Sequence, residues 1–380
     1  MTVEPFRVTV PQEILDDLHE RLARTRWTDE VMGAGWDYGT NLAYLKELIA
    51  YWHGVYDWRT QEERINIFSH YRTVVRGAGI HFIHERGRGT DPFPLVLLHG
   101  WPASFLQMVK IAPLLADPAG HGGGAEDAFD VIIPSLPGYG FSDRPKERGM
   151  TVGRIAELIH QLMTKELRYE RYGVRGSDMG AGVAQQLALR YPDSITGIHL
   201  SGTNPYFGET PPDLSAAEKV FLEKVQAFRI QEGAYAMVHG TKPQTLAYGL
   251  TDSPAGLAAW ISEKFRAWSD CGGDVEKRFT RDELLSNVMV YWVTGTINSS
   301  IRLYYESMHN PWPNAGKRVE VPTGMAMFPK DIVPGPREWA ERQFNVTRWR
   351  EMPRGGHFGE QEEPELLATD IREFFRGLRR

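Results

Sequence analysis

Near the amino terminus Ile14, Leu15, Leu18 and Leu22 recur at helical spacing, which predicts a helix over Pro11 to Trp27, with Pro11 suited to its first turn. A second helix is predicted from an N-cap at about Thr40 through Leu42, Leu45, Leu48, Ile49 and Trp52. The pattern then changes to alternation, with β-branched and aromatic residues at Ile65–Tyr71 and Ile80–His84 that predict the first strands of a sheet. Strand and helix signals alternate from there. A buried strand at Leu95–Leu98 is followed by a strand at Phe129–Ser135, an amphipathic helix at Thr151–Leu167, and a strand running into Gly176. The helix Ala181–Arg190 and the strand Ile195–Leu200 come next. Such alternation implies a mainly parallel sheet with helices on both faces.

The rhythm stops from roughly Pro205 to Pro313, where the chain is helix-like, richer in Trp, Tyr and Phe, and broken by loops at Gly208–Pro212 and Cys271–Asp274. It resumes at Val319-Glu320-Val321-Pro322, and a final amphipathic helix closes the chain. Ligands of open α/β sheets bind at the carboxyl edge, so an insertion between two strands there reads as a lid. Most of its aromatic residues are expected to pack helix against helix. The expected organisation is an amino-terminal extension over residues 1–62, a catalytic α/β unit over 63–204 and 316–380, and a helical lid over 205–315.

A chain of 380 residues with 42% hydrophobic content can bury a full core and still carry insertions. The net charge of −6, with both signs interspersed, presents no basic face, so nucleic acid is not an expected partner. Cys271 is the single cysteine, which excludes an internal disulfide and is in keeping with a reducing compartment. The histidines do not fall into ligand pairs, and Gly122-Gly123-Gly124 lacks the Lys-Ser/Thr of a phosphate loop, so neither a metal nor a nucleotide cofactor is expected. His70, His81 and His84 lie on predicted strands and are read as structural. The first residues show no signal-peptide pattern and no window reaches the ~20 apolar residues of a membrane span, so a soluble, cytoplasmic protein is expected, with a homodimer as its assembly.

The richest stretch is Tyr172-Gly173-Val174-Arg175-Gly176-Ser177-Asp178-Met179-Gly180-Ala181-Gly182, which reads as strand, sharp turn and helix start. A nucleophile elbow needs glycine two residues before and two after its centre. Centring on Ser177 puts Arg175 and Met179 at those places; centring on Asp178 puts Gly176 and Gly180 there. The aspartate fits. Alone, the stretch is equally compatible with an ordinary turn carrying an acid at a helix N-terminus.

Other motifs appear in the order of an α/β-hydrolase. The strand Leu95–Leu98 runs into His99-Gly100-Trp101-Pro102, which resembles the oxyanion loop of that fold. Val321 to Asp331 reads as a strand ending in an acid, and Arg354-Gly355-Gly356-His357-Phe358 is a glycine-flanked histidine ahead of the last helix. A carboxylate nucleophile esterifies an sp³ carbon, so the electrophile must be one opened by displacement, such as an epoxide or an alkyl halide. With Thr25-Arg26-Trp27, Trp36-Asp37-Tyr38-Gly39 and Tyr56-Asp57-Trp58-Arg59 in the amino-terminal extension, the whole chain resembles microsomal-type epoxide hydrolases.

The resemblance implies an α/β-hydrolase fold with an eight-stranded sheet, no cofactor or metal, and a small hydrophobic epoxide as substrate, aryl epoxides among the candidates. It assigns the nucleophile to Asp178, the base to His357 and the triad acid to Asp331, with Glu338 in reserve. Backbone N–H groups of Trp101 and Met179 would form the oxyanion hole. The family's two acid tyrosines match Tyr304 and Tyr235, and a phenol suits the task because it can donate to an alkoxide while remaining protonated at neutral pH. Tyr305 competes with Tyr304 but would point about 100° away on a helix. Two departures stand out: Met179 follows the nucleophile where tryptophan is common, and Asp331 replaces the glutamate of animal members. The rival readings are a haloalkane dehalogenase, an esterase centred on Ser177, and a non-catalytic ligand receptor of the same fold.

Overall fold

The structure is a computed structural model that describes residues 3–202, 210–310, 314 and 316–379. Its sheet contains β1 (Glu4–Pro5), β2 (His70–Val75), β3 (Ala78–Glu85), β4 (Phe93–Leu98), β5 (Phe129–Pro134), β6 (Tyr172–Gly176), β7 (Ile195–Ser201), β8 (Val319–Met327) and β9 (Phe344–Glu351). The spatial order is β1-β2-β3-β5-β4-β6-β7-β8-β9. Pairing is antiparallel from β1 to β5 and parallel from β5 through β4 to β9.

Nine strands are thus present among the described residues where eight were expected. One of them, β1, is two residues long, and its Pro5 cannot donate to a ladder, which an edge position tolerates. At the other edge β9 has one buried residue, Phe344, followed by half-buried and exposed positions, so its Asn, Thr and Arg residues hide it from a search for apolar runs. The centre is the opposite: Leu95, Val96, Leu97 and Leu98 of β4 are wholly buried. Gly173 faces Phe375 of the last helix, Pro364–Arg376, whereas Gly176 faces the helix Asp178–Arg190. An odd spacing along a strand puts these on opposite faces, so the sheet is covered on both sides.

Two local expectations shift. The helix Leu42–Gly54 is capped by Asn41, whose side chain accepts from the Tyr44 N–H at 2.9 Å, while the Thr40 hydroxyl donates to the Ala259 carbonyl at 2.8 Å. Ile65–Tyr71 is not one strand, because Ile65 ends a helix, Trp58–Ile65, and β2 begins only at His70. That helix is held by the Asp57 side chain at its N-cap and by buried Glu62, which accepts from the Val10 N–H at 2.7 Å.

Between β7 and β8 lie the helices Ala216–Gln231, Ala234–Thr241, Pro243–Asp252, Pro254–Trp268, Arg281–Thr294 and Ile297–His309. The expected lid ends at Pro205 and Pro313, and Gly208-Glu209 of its first loop, lie outside the described residues. The amino-terminal segment bonds directly to this insertion. Tyr51 Oη donates to Asp282 Oδ1 at 2.8 Å, Gln61 Nε2 donates to Asp282 Oδ2 at 3.0 Å, and the Tyr56 hydroxyl pairs with Ser286 Oγ at 3.0 Å. No helix among the described residues is long and apolar enough to cross a membrane.

Candidate active site

Strand order reverses between β4 and β6, since β4 is followed in space by β5 on one side and β6 on the other. The loops leaving these two strands meet at the carboxyl edge, where such sheets bind ligands. Asp178 stands at the end of β6 with φ of 50°, a left-handed conformation unusual for a residue with a Cβ. The glycine requirement is steric: a Cβ on Gly176 would lie 2.5 Å from the Gly180 carbonyl oxygen, and one on Gly180 would overlap the Leu98 carbonyl. A Cβ on Gly100 would overlap the Asp178 carboxylate itself.

The loop after β4 aims the Trp101 N–H at Asp178 Oδ1, 2.9 Å away. Met179 is in the first turn of the helix Asp178–Arg190, where an N–H has no intrahelical acceptor. On the other side, Lys330 pairs with Gly356 in an isolated parallel bridge that sets Asp331 beside His357. His357 Nδ1 lies 2.7 Å from Asp331 Oδ1, which also accepts from the Ile332 N–H at 2.7 Å. His357 Nε2 is 3.6 Å from Asp178 Oδ2. Glu338 is exposed on the helix Arg337–Gln343 and takes no part.

Burial disfavours a charged His357, but the Asp331 carboxylate, helped by Asp178, outweighs it and raises the imidazole to about 10. A second buried histidine shows that an aspartate partner alone does not do this. His199 Nε2 is 2.9 Å from Asp370 Oδ2, yet burial holds His199 below its ordinary value and neighbouring Arg175 adds to the lowering. The second carboxylate beside His357, and the arginines Arg175 and Arg348 beside His199, distinguish the two pairs.

Ser177 is turned inward. Its hydroxyl donates to Glu360 Oε1 at 3.1 Å, and Glu360 is paired with buried Arg175 at 2.7 Å and accepts from Gln107 Nε2 at 2.8 Å. A hydroxyl spent on a buried ion pair beneath the elbow is unavailable for attack.

Above the carboxylate the inserted helices supply an aromatic wall. Tyr235 stacks on Trp101 with centroids 5.5 Å apart and planes at 12°, and Tyr304 meets the same indole edge-on at 6.0 Å. The two phenol rings meet edge-on at 6.0 Å, and burial, followed by Tyr235 and Asp178, raises Tyr304 well above the ordinary phenol range. Tyr305 turns away and stacks on His309 at 4.0 Å. His239 and Trp268 complete the cluster, 4.6 and 6.3 Å from the Trp101 ring. The Trp101 and Trp268 indole N–H groups are buried without an acceptor among the described residues. No group of three or more His, Cys, Asp or Glu among the described residues is set to hold a metal ion.

Two family profiles match, "Epoxide hydrolase N terminus" over residues 3–108 and "alpha/beta hydrolase fold" over residues 94–358. The chain is 37% identical over 404 aligned positions to epoxide hydrolase 1 of Oryctolagus cuniculus, covering 98% of this chain and 88% of that protein. The chain belongs to the epoxide hydrolase family. Among solved epoxide hydrolases, that of Aspergillus niger superposes with a TM-score of 0.88 at 31% identity, covering 100% of this chain and 97% of that one. The juvenile hormone epoxide hydrolase of Bombyx mori gives 0.88 at 29% identity, covering 100% and 95%.

For this epoxide hydrolase the structure brings Asp178, His357, Asp331, Trp101, Tyr235 and Tyr304 into one site. Sequence reasoning missed the supporting layer: Arg175 and Glu360 under the elbow, Trp268 whose carbonyl accepts from the His357 N–H at 2.8 Å, and Lys264 and His239 behind the tyrosines. Arg175 carried a signal, since a charged residue in the middle of an all-buried strand needs a buried partner.

Proposed function

We propose that the chain hydrolyses a hydrophobic epoxide to a vicinal diol through an ester on Asp178. The reading is carried by one arrangement: an Asp178 carboxylate with Oδ1 on the Trp101 N–H and Oδ2 toward His357, facing a pair of tyrosines. Oδ1 is already engaged by a donor, so Oδ2 is the attacking atom. As it bonds to a ring carbon from the side opposite the epoxide oxygen, that oxygen takes a proton from the tyrosine pair. Water then gives a proton to His357 and adds to the ester carbonyl, with Asp331 stabilising the imidazolium. The oxyanion falls to the N–H groups of Trp101 and Met179, donors whose individual loss in related chemistry costs about 3 kcal/mol.

Ester formation also retunes the base. It removes the Asp178 charge that helps hold His357 near 10, so the imidazolium becomes more acidic and gives its proton to solvent, and the neutral imidazole then takes one from the attacking water. The aromatic wall suits a bulky apolar epoxide, aryl ones included. A cytoplasmic homodimer is the setting this reading expects, to be checked by fractionation and sedimentation.

A dehalogenase is the second reading, favoured by the two acceptor-free indole N–H groups, which are donors of the kind a halide would require. Styrene oxide and a bromoalkane separate the possibilities: an epoxide hydrolase yields diol from the first, a dehalogenase releases bromide from the second, and a ligand receptor does neither.

A further inference from the structure

Lys264, in the helix Pro254–Trp268, is only 6% exposed. Its ammonium lies over the Tyr235 ring, 5.0 Å from the centroid, and 5.7 Å from the centroid of Trp268. Its ion-pair partner is the adjacent Glu263 at 2.5 Å. A lysine buried against two aromatic faces has lost most of its hydration, and the position is costly unless the charge is used.

We propose that Lys264 is a positioning residue for epoxide opening, its cation stabilising the negative charge that builds on the Tyr235 ring as this phenol releases its proton. The proposal rests on the preceding reading of the site. In the step, Asp178 Oδ2 forms a bond to the ring carbon and the carbon–oxygen bond of the epoxide breaks with its electron pair on oxygen. That oxygen takes the Tyr235 proton, and the phenolate left behind regains one from water before the next turnover. A neutral phenol meets the ammonium only through its quadrupole. The phenolate spreads a full negative charge over the same face, so the attraction is greater in the transition state than in the ground state, and only that difference accelerates the step.

The two tyrosines are thereby unequal. The Lys264 ammonium lies over the Tyr235 ring, whereas Tyr304 meets Trp101, Tyr235 and His239 edge-on. Tyr304 therefore holds the oxygen by a hydrogen bond while Tyr235 yields the proton. The field of Lys264 extends into this cluster, since after burial it is what keeps neighbouring His239 neutral, at about 3.

The test is single-turnover kinetics of the full chain with styrene oxide, ester formation and ester hydrolysis being timed separately in Lys264→Met and Lys264→Arg. The methionine variant is expected to form ester about tenfold more slowly, with hydrolysis within about twofold of the parent, and arginine to restore most of the loss. Equal rates of ester formation, equal slowing of both steps, or an arginine variant no faster than methionine would each overturn the proposal. Should the methionine variant fail to fold, Glu263→Gln decides: removing the counter-charge should speed ester formation, and an unchanged or slower rate counts against Lys264. A parent protein that forms no ester overturns the reading of the site beneath it, whereas a parent that forms ester no faster than Lys264→Met removes only this proposal.

Discussion

The two halves of the site are built by different means. At the sheet edge Asp178, Trp101, His357 and Asp331 all sit on turns that leave strands, fixed by backbone donors and glycine contacts. In the inserted helices Tyr235, Tyr304, His239 and Lys264 pack ring on ring around Trp101 and Trp268, with His239 accepting from the Trp260 indole N–H and Lys264 paired with Glu263. The first half is set by the geometry of a few local turns; the second depends on how helices far apart in sequence settle on Trp101. On the proposed mechanism this division follows the chemistry: the helices serve ring opening alone, whereas the sheet edge supplies the nucleophile for it and then carries ester hydrolysis. Apart from Asp178, substitutions in the two halves should therefore slow different steps.

The sharpest break is expected from His357→Gln. Ester hydrolysis should fall by roughly 10²- to 10⁴-fold while ring opening changes little, so the substrate adduct accumulates on the Asp178 peptide and is seen by intact-protein and peptide mass spectrometry. Next come Tyr304→Phe and Tyr235→Phe. Each should slow ring opening by about 10- to 100-fold, the range for a hydrogen bond to a charged group, and leave hydrolysis of a preformed ester nearly unchanged. Rapid-quench measurement of the two steps distinguishes them.

A smaller effect concerns pH and stability. The folded protein raises His357 from 6.5 to about 10, so it favours the imidazolium. The stability this adds is complete below pH 6.5 and is lost as pH rises toward about 10. The Tm gap between the parent and His357→Gln should narrow across that interval; a constant or widening gap would count against the two-carboxylate environment. The smallest effect is expected at the brace between the amino-terminal segment and the inserted helices. Asp282→Ala removes acceptors from Tyr51 and Gln61 and should lower Tm by about 1–4 °C. Ring opening should slow slightly more than hydrolysis.

The same division explains what could be read from the chain. The elbow was legible because Gly176 and Gly180 answer a local steric demand, and the strand run Leu95–Leu98 because a central strand buried on both faces is continuously apolar. The strand β9 is hidden by its edge position, and the cap falls at Asn41, one residue after the expected Thr40, because both are capping residues by type and asparagine is the stronger. Tyr235 and Tyr304 came from family likeness, since nothing local tells a helical tyrosine in a site from one in a core. Lys264 and His239 were not legible, because their meaning lies in contacts across the fold, and Arg175 signalled a buried partner without telling that it is Glu360.

The most direct measurement of the covalent step is a single turnover in ¹⁸O-labelled water with protein in excess over epoxide. If Asp178 supplies the bond, the first diol carries an unlabelled oxygen drawn from its carboxylate, and label appears in the carboxylate and in diol from later turnovers. A first diol bearing the solvent's label would mean that water attacks the epoxide directly, and the role given to Asp178 would be wrong.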